Sequence, residues 1–295
     1  MTLAKGRLVI LGASGMLGQS MRQEYFRSDW SVTTVGGSRA TECDFGVDAV
    51  DGFRLRALLN DLQPDAVLNL TGLTSVDYCE QHPREAYQIN TKIAENLMGW
   101  RDEKSPGCYV LHLSTDHVYH GDGPHSEDQA EPSNYYALTK YAGELVVVRA
   151  NAACVRTNFF GVSGLANRKS FSDWLYESLS KGQQLDVYSD VKFSPLSMPT
   201  LSSFLQRLLQ LRPQGIYNLG SRSGLSKADF AFQFAEQVGL GTSNLTVKPS
   251  PEPDSRRAYR PKDMRMAVSK IEAILGESMP ELVDEIQKVR PEYLP

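Results

Sequence analysis

An α/β chain, built on a doubly wound parallel sheet with a smaller mixed α/β carboxyl-terminal lid, is the fold class that the sequence predicts. Three observations carry it. Apolar strand-like runs alternate with helix-periodic segments through the first half, as repeated βαβ units require. The first run, "RLVIL", leads straight into the glycine-rich turn "GASGMLG". After "ACVRTNFF" the alternation gives way to longer helical stretches separated by short strands.

The elements follow in order. "RLVIL" reads as the first strand, and a helix is predicted from near residue 15 through 25. "SVTTV", "AVLNL" and "YVLHLS" read as further strands, with helices predicted over residues 53–62 and 86–100. A helix opening at "NYYALTK" and a strand at "ACVRTNFF" complete the first domain, residues 1–160. Residues 161–295 form the lid. Helices are predicted there near residues 170–181, 200–211 and 226–238, with short strands at "LDVYSD" and "GIYNLG". Some of these later segments can return to the main domain.

Composition narrows the function classes. The chain has 295 residues, 41% hydrophobic and 22% charged, in the range of ordinary globular proteins. Its net charge of −4 and the absence of a lysine or arginine stripe argue against a nucleic acid polymer as partner. The opening apolar run is short and breaks into glycines, so it reads as a strand and not a signal peptide. No apolar stretch is long enough for a membrane span, and a cytoplasmic location is expected. Cys43, Cys79, Cys108 and Cys154 are widely spaced, which suggests reduced structural thiols, and no metal site is expected.

"GASGMLG" places Gly12, Gly15 and Gly18 at G-x-x-G-x-x-G spacing between a strand and a helix. Glycines there allow close approach of backbone to a pyrophosphate, and the helix start offers amide groups to negative charge. Gly12, Ser14, Gly15, Met16 and Leu17 are therefore candidate dinucleotide contacts. The second strand would end near the adenine ribose, where NAD proteins commonly carry an acid. Here "SVTTVGGSRA" has none, and Ser38 and Arg39 suit a 2′-phosphate. NADPH is accordingly expected ahead of NADH, with Asp44 facing the adenine.

Chemistry enters with "YVLHLSTDHVYHG", a strand ending in the hydroxyls of Ser114 and Thr115, and with "NYYALTK". In an open α/β sheet the carboxyl ends of the strands form the ligand crevice. Residues i and i+4 share a helix face, so Tyr136 and Lys140 point together while Tyr135 is rotated away. A tyrosine beside a cation can protonate a ketone oxygen while a nicotinamide supplies hydride to carbon.

The order of glycine turn, strand-end hydroxyl and Tyr-x-x-x-Lys resembles the extended short-chain dehydrogenase/reductases, and most closely their dTDP-4-dehydrorhamnose reductase branch. "QPDAVLNLTGLTSVDYCE", "INTKIAENL", "LSTDHVYHGDGPHSEDQAEPSNYYALTKYAGE", "GIYNLGS" and "YRPKDMRM" carry the likeness over nearly the whole chain. The resemblance implies a Rossmann-type first domain and a substrate-binding lid. It implies Thr115 as the substrate-facing hydroxyl, Tyr136 as proton donor and Lys140 as the lysine touching the nicotinamide ribose. Thr71, Gly72 and Leu73 match a loop along the cofactor, and Thr74 and Asp77 match positions near the sugar. Asp116 joins the substrate residues, and Arg260 of "YRPKDMR" is expected at the diphosphate, with Arg265 the lesser candidate. The expected partner is a nucleotide sugar, and a homodimer is admitted.

Two segments depart from the branch. Phe159 stands where relatives commonly carry tryptophan, and "DVKFSPL" replaces a glutamine-containing segment, so Phe159, Lys192 and Phe193 could accommodate another sugar. The expected activity is NADPH-dependent reduction of the 4-keto group of a nucleotide-activated 4-keto-6-deoxyhexose. The alternatives are an epimerase that retains its cofactor and a non-catalytic regulatory subunit of the methionine adenosyltransferase beta type. Dehydratases of the family typically follow the threonine with Asp-Glu, whereas this chain has Asp116 and His117.

Overall fold

The computed structural model describes residues 5–21, 30–149, 151–165, 167–254 and 257–294. Six strands, β1 (Gly6–Leu11), β2 (Trp30–Gly36), β3 (Phe45–Gly46), β4 (Ala66–Asn69), β5 (Tyr109–Thr115) and β6 (Ala152–Thr157), join a seventh, Gly215–Leu219, in one sheet. Its order is Gly215–Leu219, β6, β5, β4, β1, β2, β3. The pairs β1–β2, β1–β4, β2–β3 and β4–β5 are all parallel. This is the doubly wound, Rossmann-type sheet that the sequence predicts. Leu8, Val9, Ile10 and Leu11 are all buried, the signature of a strand covered on both faces.

Strand order reverses between β1 and β4, and ligands of such sheets bind at that switch point. Gly12 takes a left-handed φ of 81°, and a Cβ there would lie 2.9 Å from the Leu70 carbonyl carbon and the Thr71 nitrogen. Only glycine fits both conditions. The helix predicted from near residue 15 begins as Met16–Ser20, and its expected continuation over 22–25 lies outside the described residues.

The helix predicted over 86–100 is interrupted. A short helix, Pro83–Tyr87, passes into a π-turn, Gln88–Lys92, before Ile93–Lys104 resumes. The wide turn places the side chains of Asn90 and Thr91 in the interior, where both find partners.

Two units divide the chain, and the division is not linear. The first comprises residues 1–115, 134–155 and 202–216, the second 116–133, 156–201 and 217–295. The return of later segments to the main domain, which the sequence admits, falls on residues 202–216, and 116–133 groups with the second unit. "GIYNLG", expected as a lid strand, instead forms the edge strand Gly215–Leu219 of the main sheet. Its Tyr217, Asn218 and Leu219 are buried, which an edge strand of the lid would not require.

The second unit has its own core of Phe160, Leu175, Phe193, Phe230, Phe234, Leu282 and Tyr293. Helix Phe171–Ser180 starts with a reciprocal capping box between Ser170 and Asp173, and Ser226 caps helix Lys227–Gln237. Three two-stranded ribbons complete it, one pairing Lys192–Phe193 antiparallel with Leu225–Ser226.

Candidate functional site

At the end of β1 the Gly12 and Ala13 amides both donate to Val35 O, at 2.9 and 3.1 Å, docking the glycine turn onto β2. Gly15 is the N-cap of the following helix and supplies no side-chain acceptor. Helices Gly52–Leu62, Val76–Gln81 and Tyr135–Val147, by contrast, are capped by Asp51, Ser75 and Asn134. The first-turn amides, Met16 and Leu17 among them, are therefore left for an external anion. Leu17 can contribute only its backbone, because its side chain is buried. Ser38 and Arg39 are exposed at the tip of a turn closed by Ala40 N donating to Gly37 O at 2.8 Å. Asp44 accepts from both the amide and the hydroxyl of Thr34 at 2.8 Å, so its described bonds hold this loop against β2.

Buried amides fix the loop after β4. Asn69 Oδ1 accepts from Thr71 N at 3.1 Å and Thr71 Oγ1 at 2.6 Å, and its Nδ2 donates to His112 Nδ1 at 3.0 Å. Asn90 Oδ1 accepts from Leu73 N at 2.7 Å, while Asn90 Nδ2 donates to Leu73 O at 3.2 Å and Thr139 Oγ1 at 3.0 Å. One side chain thus ties Leu73 to the helix that carries Tyr136. Gly143 lets that helix close in, since a Cβ there would stand 2.6 Å from Asn90 O. Thr74 is exposed and Asp77 half-buried at the start of helix Val76–Gln81.

Asn134 caps helix Tyr135–Val147 by accepting from Ala137 N at 2.8 Å. This start sets the rotation of the two tyrosines: Tyr136 is 7% exposed and Tyr135 43%. One turn on, Lys140 is buried and its Nζ donates to Leu113 O at 2.6 Å, two residues before Thr115 at the end of β5. A Cβ built on Gly72 would lie 3.7 Å from Lys140 Nζ, so the Thr71–Leu73 loop and the ammonium are neighbours. Burial pulls the lysine down to about 8, with Cys154 and Glu144 opposing the fall. It therefore still carries its proton at neutral pH.

Of the two strand-end hydroxyls, Ser114 donates to the buried Glu144 at 2.5 Å, fastening β5 to the same helix. Thr115 is buried at the strand terminus. His112 is held neutral by burial and by the charge of Lys140. Asn69, Asn90, His112 and Glu144 were not singled out by sequence. Their only signal there is a polar residue within an apolar or helical run.

In the second unit Asp116 is buried and accepts from Asn158 Nδ2 at 2.7 Å. Phe159 is half-buried and Lys192 exposed. Phe193, which could accommodate another sugar by sequence, lies in the core of the second unit. It is 1% exposed and packs edge-on against Phe171, because its pairing with Leu225 turns it into the core. Lys227, which sequence reasoning missed, places Nζ 3.3 Å from the Phe193 ring centroid and 4.2 Å from that of Phe171. Burial lowers its pKa, opposed by the charge of Asp116.

His117 is pulled to about 3 by burial and then by Lys227 and Arg260, so it is neutral and no acid near pH 7. Arg260 is exposed and donates to Ala258 O at 3.3 Å. Arg265 is paired with Asp263 through Nη2 at 2.6 Å and also donates to Gly123 O at 3.0 Å, which makes it the structural clip. Among the described residues no group of three His, Cys, Asp or Glu side chains could hold a metal. None of their helices is long and apolar enough to cross a membrane.

The chain is similar to known proteins along nearly its whole length. The chain is 28% identical over 289 residues to the probable low-salt glycan biosynthesis reductase Agl14 of Haloferax volcanii, covering 94% of this chain and 95% of that protein. It is 25% identical over 287 residues to methionine adenosyltransferase 2 subunit beta of Rattus norvegicus, covering 93% and 84%. Among solved structures, the dTDP-4-dehydrorhamnose reductase of Bacillus anthracis, in complex with NADP, superposes with a TM-score of 0.85 at 22% identity, covering 98% and 100%. A hypothetical dTDP-4-dehydrorhamnose reductase of Sulfolobus tokodaii does so at 0.82 and 28% identity, covering 95% and 98%. The RmlD substrate binding domain family matches residues 6–294, and the chain belongs to that family.

Proposed function

We propose that the chain is an NADPH-dependent reductase of the 4-keto group of a nucleotide-activated 4-keto-6-deoxyhexose. The observation that carries this reading is the buried Tyr136 one turn from a buried Lys140 whose ammonium is fixed at Leu113 O beside Gly72. The similarity to a glycan biosynthesis reductase and to dTDP-4-dehydrorhamnose reductases supports it.

The open helix start after Gly15 suits the cofactor pyrophosphate, through the backbone of Gly12, Ser14, Met16 and Leu17. Ser38 and Arg39 would meet the 2′-phosphate, and Thr71, Gly72 and Leu73 would line the nicotinamide half. Bound NADPH supplies hydride to the carbonyl carbon. Tyr136 gives its phenolic proton to the carbonyl oxygen, and Lys140 stabilises the tyrosinate left behind until solvent restores the proton. Thr115 donates to the same oxygen and orients the carbonyl. Thr74, Asp77, Asp116 and Phe159 would contact the sugar, and Arg260 the diphosphate, whose oxygens match a guanidinium fork.

Likeness to methionine adenosyltransferase 2 subunit beta favours a second reading, a regulatory subunit. A screen of nucleotide-activated 4-keto sugars, following NADPH consumption and identifying products, separates the two. Turnover by the isolated chain supports the reductase. A chain that consumes no NADPH with any of them and copurifies with a catalytic subunit supports the other.

A further inference from the structure

Lys227 opens the helix Lys227–Gln237, one residue after the strand that pairs with Lys192–Phe193. Its backbone is fixed at both sides: Lys227 N donates to Val191 O at 2.8 Å, and Ser226 caps the helix by accepting from Asp229 N at 3.0 Å. The side chain therefore leaves a rigid corner. The ammonium lies over the faces of Phe193 and Phe171, which attract it through their quadrupoles. The charge of Asp116 acts on it, and it acts in turn on His117. No described residue offers Nζ a hydrogen-bond acceptor, although three N–H donors are available there.

A half-buried ammonium held on two rings, with no protein acceptor among the described residues, is open to an acceptor from a ligand. The neighbours say which kind. Asp116 is fixed by Asn158 and supplies acceptor oxygens with a negative charge, which disfavours a phosphate or a carboxylate beside it. An ammonium held over two rings near a fixed negative charge suits a neutral hydroxyl oxygen as its acceptor.

We propose that Lys227 is a hexose-binding residue whose ammonium, seated on Phe193 and Phe171, donates to a hydroxyl of the sugar. This rests on the nucleotide-sugar reading above and deepens it. Lys227 distinguishes the sugar from the bare nucleotide, and Phe193 acts through it as a platform. The departure at "DVKFSPL" then has a consequence: the phenylalanine that sets the height of the ammonium is supplied by that segment.

Calorimetric titration tests this with dTDP, dTDP-glucose, UDP and UDP-glucose as probes, each into protein saturated with NADP. The preferred nucleotide sugar should bind wild type more tightly than its own nucleoside diphosphate. Lys227→Met keeps the apolar stem on the rings and should weaken sugar-nucleotide binding by roughly tenfold or more, with nucleoside diphosphate affinity unchanged. Lys227→Gln, which retains a donor, should recover part of the loss and decides the matter if the methionine variant fails to fold. Equal loss for the nucleotide and its sugar conjugate, or no loss for either, overturns the inference alone. A wild type that binds nucleotide sugars no better than nucleoside diphosphates, and reduces none, overturns the functional reading and this inference with it.

Discussion

The two units hold their candidate site residues differently, although the second also buries hydrogen-bonded polar groups such as Arg156, Asn218 and Glu285. In the first, Asn69, Asn90, His112 and Glu144 are buried and hydrogen-bonded into a frame that joins the Thr71–Leu73 loop, β5 and the Tyr136 helix. In the second, Lys192 and Arg260 are exposed, and Lys227 rests on ring faces without a hydrogen-bond acceptor among the described residues. Reduction needs its proton donor placed within a fraction of an ångström, so rigid support is favoured where bonds change. Recognition of a ligand tolerates groups that find their partners on binding.

The sharpest test of the contrast is the tyrosine pair. Tyr136→Phe should lower ketone reduction by about a hundredfold or more in steady-state kinetics, with NADPH affinity nearly intact, because the ring stays while the proton is lost. Tyr135→Phe should change little. If the exposed neighbour proves the damaging position, the chemistry does not reside in the buried frame.

Acidity gives the next effect. Lys140 has its folded pKa near 8, below the ordinary lysine value of 10.5. Turnover that needs its ammonium should therefore decline as pH rises through about 8, and Lys140→Met should abolish both most of the activity and this limb of the profile. Stability runs the other way. Between the two values the unfolded chain binds more protons than the folded one, so the lysine's contribution to folding grows as pH rises across that window. Urea unfolding at several pH values, wild type against Lys140→Met, would expose the difference.

Removing Asn90 should cost the frame itself. Asn90→Ala leaves Leu73 N, Leu73 O and Thr139 Oγ1 without this partner, and unfolding free energy should fall by about 1–3 kcal/mol, with a raised KM for NADPH. Thermal stability lost with an unchanged KM would detach the loop from the cofactor. The smallest effects belong to the second unit, where two arginines divide the roles. Arg265→Ala breaks the Asp263 pair and should lower Tm without altering substrate affinity. Arg260→Ala should raise the KM for the nucleotide sugar while Tm stays nearly unchanged. A reversal would move the diphosphate to Arg265.

Local chemistry made the first unit readable from sequence. A glycine turn between strand and helix, and an i, i+4 tyrosine and lysine after an asparagine cap, are signals within a few residues of each other. The π-turn at Gln88–Lys92 was not readable, because the partners that draw Asn90 inward are Leu73 and Thr139, far off in the chain. Residues 202–216 likewise rejoin the first unit through long-range packing that periodicity does not encode. Lys227 was hidden for a different reason. At a helix start a lysine is ordinarily a solvated charge, and only the fold brings Phe171, Phe193 and Asp116 around it. Arg260 and Arg265 stand in one short segment, "YRPKDMR", and the sequence ranks them only through the resemblance. Asp263, two residues from Arg265, decides which of them is the clip.

The central claim is that this chain transfers hydride and proton to a sugar ketone with net use of cofactor. The direct measurement incubates purified protein with NADPH and a limiting amount of the dTDP-activated 4-keto-6-deoxyhexose, following nicotinamide absorbance to completion and identifying the sugar by mass and NMR. NADPH should be oxidised in equal amount to the ketone consumed, with a product bearing a new hydroxyl at carbon 4. An epimerised ketone formed without net NADPH oxidation, or a substrate recovered unchanged, would contradict that claim.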